Sequence, residues 1–197
     1  MKLSDKKHKN ILEAAVEEFQ DHGFRGAKTT RIASKAGVSS RTLYKHFDSK
    51  EALFQEISEA MIKRKGAIAH ISFDPERDLK AQLEILITNY VEKLTEPETI
   101  AITRMVTAEM LIDQERSKAY VSEVAKFQNP ITALIAEAME AGAIRTGDAH
   151  YASRQLHSLI REFFYTPEFM YRSKQDTEGV LSDCLDMFLA HYSPNSE

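Results

Sequence analysis

The stretch that decides the fold is GVSSRTLYKHFDSK, residues 37–50. Gly37 can end a preceding short helix, because a positive φ costs glycine little. Ser39 is a favourable N-cap, since its hydroxyl can accept a hydrogen bond from an unpaired backbone N–H. Leu43 and Phe47 lie four residues apart, on one face of the helix that follows. The stretch therefore predicts the turn and second helix of a helix-turn-helix.

The opposite face of that second helix is polar. It carries Ser40, Arg41, Thr42, Tyr44, Lys45 and His46. Nearly all of these side chains can donate a hydrogen bond to a phosphate or a base edge. Tyr44 could instead be a core aromatic, but Leu43 and Phe47 already fill the buried edge. A short helix with one apolar edge and one donor-rich edge fits a DNA groove.

The periodicity of apolar residues is helical along nearly the whole chain and predicts an all-α fold. Before the quoted stretch, we expect a helix that stops at Gly23 and a second one at about 29–36. Ser49 is expected to cap a longer helix, from about 50 to 70, that links two domains. These are an N-terminal three-helix helix-turn-helix head, 1–50, and a C-terminal helical bundle, 51–197.

Prolines and capping residues divide the C-terminal bundle. Pro75 and Pro97 are expected near helix starts, where proline is well tolerated. Asn129 and Pro130 mark either a kink or a new start, and Asp148 opens a further helix. The helix after Pro97 is marked by Ile102, Met105, Val106, Met110 and Leu111.

The charge is unevenly distributed along the chain. The net charge is −4, but residues 1–50 carry eleven lysines and arginines against six acidic residues, a balance of +5 that leaves −9 for 51–197. A basic head on an acidic body is typical of a small DNA-contacting domain, although lysines also cluster at termini without any function. One cysteine excludes an internal disulfide. With no apolar secretory segment or membrane-length run, we expect a cytoplasmic protein without a membrane partner.

Catalytic and metal-binding patterns are missing from the sequence. The seven histidines have no ligand spacing with carboxylates or with Cys184. No nucleophile–base pattern and no phosphate-cradling glycine loop occurs. We therefore expect no enzyme activity, no metal and no cofactor.

Residues 11–54 resemble the DNA-binding head of TetR-type transcriptional regulators. The resemblance is carried by ILEAA at 11–15, GF at 23–24, IASKAGVS at 32–39, TLYKHF at 42–47 and SKEALF at 49–54. Residues 103–109 and 131–148 resemble the ligand-sensing half of the AefR-like branch. The family implies an all-α homodimer that binds a palindromic operator in double-stranded DNA and is released by a small-molecule inducer.

The resemblance also implies roles for individual residues. Thr42, Tyr44, His46 and Lys50 match positions that hold phosphates, with a structural role as the alternative for Lys50. Ser39, Ser40, Arg41 and Lys45 match the groove-facing set, although Arg41 could also be a solvated side chain. Lys28, Thr29 and Thr30 complete the expected DNA-binding set. Ala27 and Lys28 stand where the family often has a Ser or Thr that opens the second helix. We therefore expect that helix to be capped by Thr29, by Thr30 or by no side chain.

Two further sets of residues are expected in the bundle. A dimer interface is predicted from the broad apolar stripe of the last helix and the helix before it: Leu156, Ile160, Phe163, Phe164, Leu181, Cys184, Leu185 and Phe188. The alternative is an ordinary monomer core. A ligand pocket is predicted at Tyr90, Thr103, Met105, Phe127, Ile131, Met139 and Phe163. Residues of these types are also common in plain cores.

The sequence thus predicts a dimeric, ligand-responsive transcriptional repressor that binds a specific DNA sequence and is released by a small hydrophobic effector. Three alternatives remain: a non-specific or architectural DNA-binding protein, an activator of the same family, and a helical enzyme with a fortuitous motif. A repressor gains about 4–10 kcal/mol on its own site over random duplex, which an architectural protein does not.

Overall fold

The computed structural model of the chain describes residues 3–66, 70–126, 129–173 and 175–194. Every regular element within these ranges is helical, which confirms the all-α prediction. The helices are α1 (Leu3–Gly26), α2 (Thr29–Lys35), α3 (Ser40–His46), α4 (Lys50–Gly66), α5 (Leu79–Thr95), α6 (Pro97–Met110), α7 (Gln114–Val124), α8 (Pro130–Glu140), α9 (Ala149–Ile160), α10 (Thr166–Tyr171) and α11 (Val180–His191). A π-helical turn, Arg161–Tyr165, joins α9 to α10. No described helix combines the length and the apolar content that crossing a bilayer requires.

The chain forms two compact units. The first unit contains residues 1–63 and 101–125, and the second contains residues 64–100 and 126–197. The first unit is therefore larger than the predicted head of residues 1–50, because α7 and much of α6 belong to it.

The first unit is organised by the helix-turn-helix. Gly23 and Gly37 both have φ near +65°, so each supplies the left-handed backbone that ends or breaks a helix. The fully buried Leu43 and Leu53 belong to one apolar core, which also takes in Val106 from α6. That core holds α3 against α1 and α2, and the polar edge of α3 remains exposed to solvent.

An arginine of α7 also packs on the core of the first unit. The guanidinium carbon of Arg116 lies 3.8 Å from the ring centre of Phe24 and 5.1 Å from that of Phe54. Cation–π contacts of this kind are favourable when partly shielded from water, as the half-buried Arg116 is. This stacking ties α7 to the last turn of α1 and to α4.

The second unit is a helical bundle around an apolar core. Residues of α5, α8, α9 and α11 supply its fully buried side chains, among them Leu86, Leu134, Leu156 and Leu185. Asn129 and Asp148 cap α8 and α9 by accepting hydrogen bonds from backbone N–H groups, as the sequence predicts. Asn129 and Pro130 therefore mark a new helix start rather than a kink.

Two expectations about helix bounds are wrong. Pro97 begins α6, but Pro75 lies in a turn, and α5 begins at Leu79 behind the capping carboxylate of Asp78. The buried amide of Gln82 holds that turn, because it accepts from the Asp74 N–H at 2.8 Å and donates to the Asp74 carbonyl at 2.9 Å. Leu111 follows α6 in a turn and is 84% exposed.

The π-helical turn changes which side chains after α9 face the core. A regular α-helix would place Phe163 and Phe164 above the buried Ile160. A π turn contains an extra residue, and the core position passes to Tyr165, which is buried. Phe163 is consequently 47% exposed, and Phe164 is half-buried.

Candidate nucleic-acid interface

Helix α3 presents a polar edge that its own capping and packing fix in place. The Ser39 hydroxyl accepts a hydrogen bond from the Thr42 N–H at 3.1 Å and lies 2.9 Å from the Thr42 hydroxyl. Leu43 and Phe47 anchor the other edge in the core. Local capping and burial on one side therefore hold α3 rigidly for contact on the other.

The predicted groove-facing residues share one exposed surface. Ser39, Ser40, Arg41, Tyr44 and Lys45 are exposed, and Thr42 and His46 are half-buried. Arginine can pair with guanine through two parallel hydrogen bonds, the commonest specific contact in DNA readout. The Arg41 edge is therefore able to reach bases as well as phosphates.

A polar cleft lies beside α3. It has a volume of about 520 Å³ and is lined by Ala27, Lys28, Thr29, Thr30, Tyr44, Asp48, Ser49, Lys50 and Glu51. The Tyr44 and Thr29 hydroxyls lie 3.0 Å apart across it. Lys28 and Thr30 are exposed, so the cleft offers hydroxyl and ammonium donors suited to a phosphate. The carboxylates of Asp48 and Glu51 form its acidic side.

The ammonium group of Lys50 has partners inside the protein. It donates to the carbonyl oxygen of Phe24 at 2.7 Å and to that of Ala27 at 3.3 Å. It also lies 4.5 Å from the centre of the Phe24 ring. Lys50 therefore has the structural role that the sequence left open, because it satisfies carbonyls at the end of α1. Its predicted phosphate contact stays a prediction.

No side chain of α2 itself caps that helix. Lys28 is the N-cap residue without a side-chain hydrogen bond, so neither Thr29 nor Thr30 has that role. Instead the carboxylate of Glu18, on α1, accepts from the Lys28 N–H at 3.1 Å and from Arg31 Nε at 2.6 Å. Glu18 is completely buried. It therefore fixes the end of α2 that carries the cleft residues.

The electrostatics of Glu18 follow from these partners. Burial alone raises the pKa of Glu18, but the Lys28 N–H and the Arg31 guanidinium outweigh burial and hold the pKa below its usual value. Sequence reasoning missed this residue because Glu17 and Glu18 look like a solvated face. The available signal was position, since Glu18 lies three residues after the buried Ala15 and seven after the buried Ile11.

A second missed residue, His8, supports the C-terminal end of α3. Its Nε2 lies 2.6 Å from a carboxylate oxygen of Glu56 on α4. Its ring stacks on Phe47 at 4.7 Å between centres and meets the His46 ring edge-on at 5.8 Å. His8 thus links α1 and α4 to His46 and Phe47 at the C-terminal end of α3.

Two family models match the chain. Residues 11–57 match bacterial regulatory proteins of the tetR family, and residues 81–194 match the C-terminal domain of AefR-like transcriptional repressors. The second match alone covers more than half of the 197 residues.

The chain belongs to the TetR family of transcriptional regulators.

Known proteins resemble this TetR-family chain over nearly its whole length. It is 24% identical to the fatty acid metabolism regulator protein of Bacillus subtilis over 96% of this chain and 97% of that protein. A crystal structure of a TetR-family regulator from Pseudomonas syringae has 28% identity and a TM-score of 0.82, covering 96% and 98% of the two chains. SmeT, solved in complex with triclosan, shares the fold at 21% identity and a TM-score of 0.69, covering 96% and 93%.

Membership of this TetR family confirms the broad function. The protein is a DNA-binding transcriptional regulator and not an enzyme, since that is what the family's members are. Among the described residues, no group of three or more His, Cys, Asp or Glu side chains is placed to hold a metal ion.

The predicted ligand-pocket residues of this regulator do not fall in one compact unit. Thr103 and Met105 are buried in the first unit, where the Thr103 hydroxyl contacts Met61 Sδ at 3.3 Å. The second unit contains the others that the structure describes: Tyr90, Ile131, Met139 and Phe163. Ile131 and Met139 are buried core residues, and Phe127 lies outside the described residues. The pocket itself stays a prediction.

Most of the predicted dimer-interface residues are buried within the single chain. Five of these residues are at most 3% exposed within the single chain: Leu156, Ile160, Cys184, Leu185 and Phe188. They pack against one another and against α5 and α8, so they offer no surface to a second copy. Phe163 is exposed, and Phe164 and Leu181 are partly so. For the five buried residues the packing within one chain agrees with the alternative of an ordinary core, and the interface itself stays a prediction.

Proposed function

We propose that two copies of this TetR-family chain bind an inverted-repeat operator as a repressor and leave it when a small hydrophobic effector binds. The observation that carries this proposal is the exposed edge of α3 around Arg41, fixed beside a polar cleft at Thr29 and Tyr44. Such a surface supplies both base contacts and phosphate contacts. We propose that the protein acts in the cytoplasm, where it meets its DNA.

The contacts divide by their positions on the surface. Arg41 and Lys45, with Ser39 and Ser40, are proposed to reach base edges from the exposed edge of α3. The cleft donors at Lys28, Thr29, Thr30 and Tyr44, together with Thr42 and His46, are proposed to hold phosphates. Phosphate contacts fix the position and register of the protein on the duplex, and base contacts select the sequence.

The dimer is supported by DNA geometry. One α3 helix of seven residues spans only a few base pairs, whereas two copies placed one or more helical turns apart read a palindrome. Phe163 and Met187 are two of the several large apolar side chains in the described α9–α11 region that remain exposed. We propose that these exposed residues, and not the five buried ones, contribute to contacts between the two copies.

The effector response is supported by the relatives. SmeT has been solved with triclosan, and the Bacillus subtilis relative is named for fatty acid metabolism. We propose that a small apolar molecule binds this chain in its second unit and favours a spacing of the two α3 helices that no longer fits the DNA. The loss of binding free energy for DNA is then set by how much more tightly the effector binds the state that does not fit DNA than the state that does.

Selection of bound sequences from a random duplex pool tests the proposal. We expect an inverted repeat to be enriched, bound by two chains, with a gain of about 4–10 kcal/mol over random duplex. Enrichment of no sequence would favour a non-specific architectural protein. Placing the selected site upstream of a reporter promoter then separates repression from activation.

A further inference from the structure

A histidine of the second unit, His157, has a side chain with one partnered and one unpartnered nitrogen. It lies on α9, where its Nδ1 is 3.3 Å from the side-chain nitrogen of Asn129. Its ring meets the ring of Tyr90 edge-on, with the centres 4.6 Å apart. Its other nitrogen, Nε2, is shielded from solvent and has no hydrogen-bond partner among the described residues.

The contact with Asn129 determines which nitrogen of His157 carries the proton. The Asn129 side-chain oxygen is already committed, because it accepts from the Ile131 N–H at 2.9 Å as the cap of α8. The Asn129 amide group therefore directs its NH₂ at His157, and Nδ1 must accept that hydrogen bond. In the neutral ring the proton is then on Nε2, which makes Nε2–H a buried donor without an acceptor.

An unpartnered buried donor is unfavourable. Such a group gives up its hydrogen bond to water on folding and gains none in return, so unsatisfied buried donors are rare in folded proteins. An apolar side chain at position 157 would avoid this cost. The donor thus indicates that an acceptor belongs at this place.

The charge near His157 indicates what kind of acceptor fits. Arg161 follows four residues later, with its guanidinium carbon 4.9 Å from the centre of the Tyr165 ring, and its positive charge acts with burial to lower the pKa of His157, burial being the larger cause. The imidazole therefore remains neutral, and the cation next to it favours a negatively charged partner. The ring of Tyr90, which packs against the core of the second unit, lies beside the imidazole.

We propose that His157 Nε2–H is the hydrogen-bond donor of an effector site, and that the site takes a small carboxylate with an apolar body. Asn129 sets the tautomer, Tyr90 contacts the apolar part, and Arg161 attracts the charge. This inference rests on the proposed effector response and names the chemical class of the effector.

A matched ligand series tests the carboxylate. We expect decanoate to raise the Tm of the full chain and decylamine, which has the same apolar body and the opposite charge, to leave it unchanged. In the variant H157F, the affinity for decanoate should fall roughly 10- to 100-fold, the value of one hydrogen bond to a charged group. H150F, which changes an exposed histidine of the same helix, should bind as the wild type does.

Long-range ¹H–¹⁵N spectra of histidine-labelled protein provide the second readout. The free protein should show His157 protonated on Nε2, and decanoate should shift that proton downfield. Protonation on Nδ1, equal binding of decanoate and decylamine, or undiminished decanoate binding by H157F would each overturn the site. None of these results depends on DNA, so operator binding can hold while this site fails.

Discussion

Helix α3 in the first unit and helix α9 with its π-helical turn in the second unit show how differently two amphipathic helices can be used. In α3 the apolar edge is narrow, and the exposed face carries the side chains proposed to contact DNA. In α9 the apolar stripe is broad, and the chain's own α8 and α11 cover it. A helix with a narrow apolar edge, such as α3, leaves its polar face exposed for function. A helix with a broad apolar stripe, such as α9, must be covered, but the stripe does not show whether the same chain or a second copy covers it.

The largest effect is expected from breaking the ion pair that anchors α2, which joins the fully buried carboxylate of Glu18 to the partly exposed Arg31. Arg31→Ala leaves the carboxylate of Glu18 buried without its closest cation, and we expect the free energy of unfolding to fall by about 3–5 kcal/mol. Urea denaturation, monitored by circular dichroism, measures this free energy of unfolding. Lys9→Ala, which removes an exposed pair with Glu13, should cost less than about 1 kcal/mol.

The double variant Glu18→Leu with Arg31→Leu completes this test. It removes both charges together, so most of the stability that Arg31→Ala removes should return. If Arg31→Ala proves as mild as Lys9→Ala, Glu18 does not have the anchoring role assigned to it.

The next largest effect separates core from dimer surface in α11. Leu185→Ala removes a fully buried side chain, and we expect the second unit to lose about 2–5 kcal/mol of stability. Met187→Ala, on the exposed side of the same helix, should leave the packing of the single chain unchanged and weaken the proposed contact between the two copies. Analytical ultracentrifugation alongside urea melts checks both. A Leu185→Ala chain that is as stable as the wild type but dissociates more readily would return Leu185 to the interface.

A third effect depends on pH. Burial, helped by Arg161, lowers the pKa of His157 to about 4, whereas an unfolded histidine titrates near its usual value of 6.5. Between these values the unfolded chain takes up the proton first, so the free energy of unfolding falls as the pH falls from 6.5 to 4. His157 contributes at most about 3 kcal/mol to this fall, and its contribution to stability is fully present above pH 6.5.

The variant H157F should remove that part of the pH dependence, and H150F should retain it. Urea melts at pH 7.5, 6 and 5 measure the slopes. The same slope in H157F and in the wild type would mean that His157 is not buried in its neutral form.

The smallest effect concerns Lys50, which has both a structural role and a predicted phosphate contact. If Lys50 binds one phosphate, Lys50→Gln should reduce the slope of log K against log salt by about one. Lys63→Gln, on an exposed position of α4, should leave the slope unchanged. An unchanged slope for Lys50→Gln would mean that Lys50 binds no phosphate. Its role would then be limited to its hydrogen bonds to the Phe24 and Ala27 carbonyls.

Much of the fold follows from local signals in the sequence. The caps at Ser39, Ser49, Asn129 and Asp148 could be predicted because capping depends on a few adjacent residues. The π-helical turn could not, because it depends on Tyr165 reaching the core rather than on its neighbours in sequence. Pro75 is wrongly expected at a helix start, since the capping by Asp78 and the contacts of Gln82 decide where α5 begins.

The candidate site also has one part that the sequence predicts and one part that it does not. The exposed edge of α3 could be predicted from the spacing of Leu43 and Phe47, which fixes the buried side. The support from Glu18 and His8 could not, because each acts through partners on another helix. Apolar periodicity also gives no means to separate the buried Leu185 from a residue of an interface.

The central claim is that the Arg41 edge of α3 reads bases, and paired titrations of the wild type and Arg41→Ala test it most directly. Both proteins are titrated at one salt concentration onto the selected operator and onto a shuffled duplex, with Arg154→Ala, an exposed arginine of α9, as the control. We expect Arg41→Ala to weaken operator binding by about 1–3 kcal/mol per half-site, with little change on shuffled DNA. Equal weakening on both duplexes would contradict base reading by Arg41.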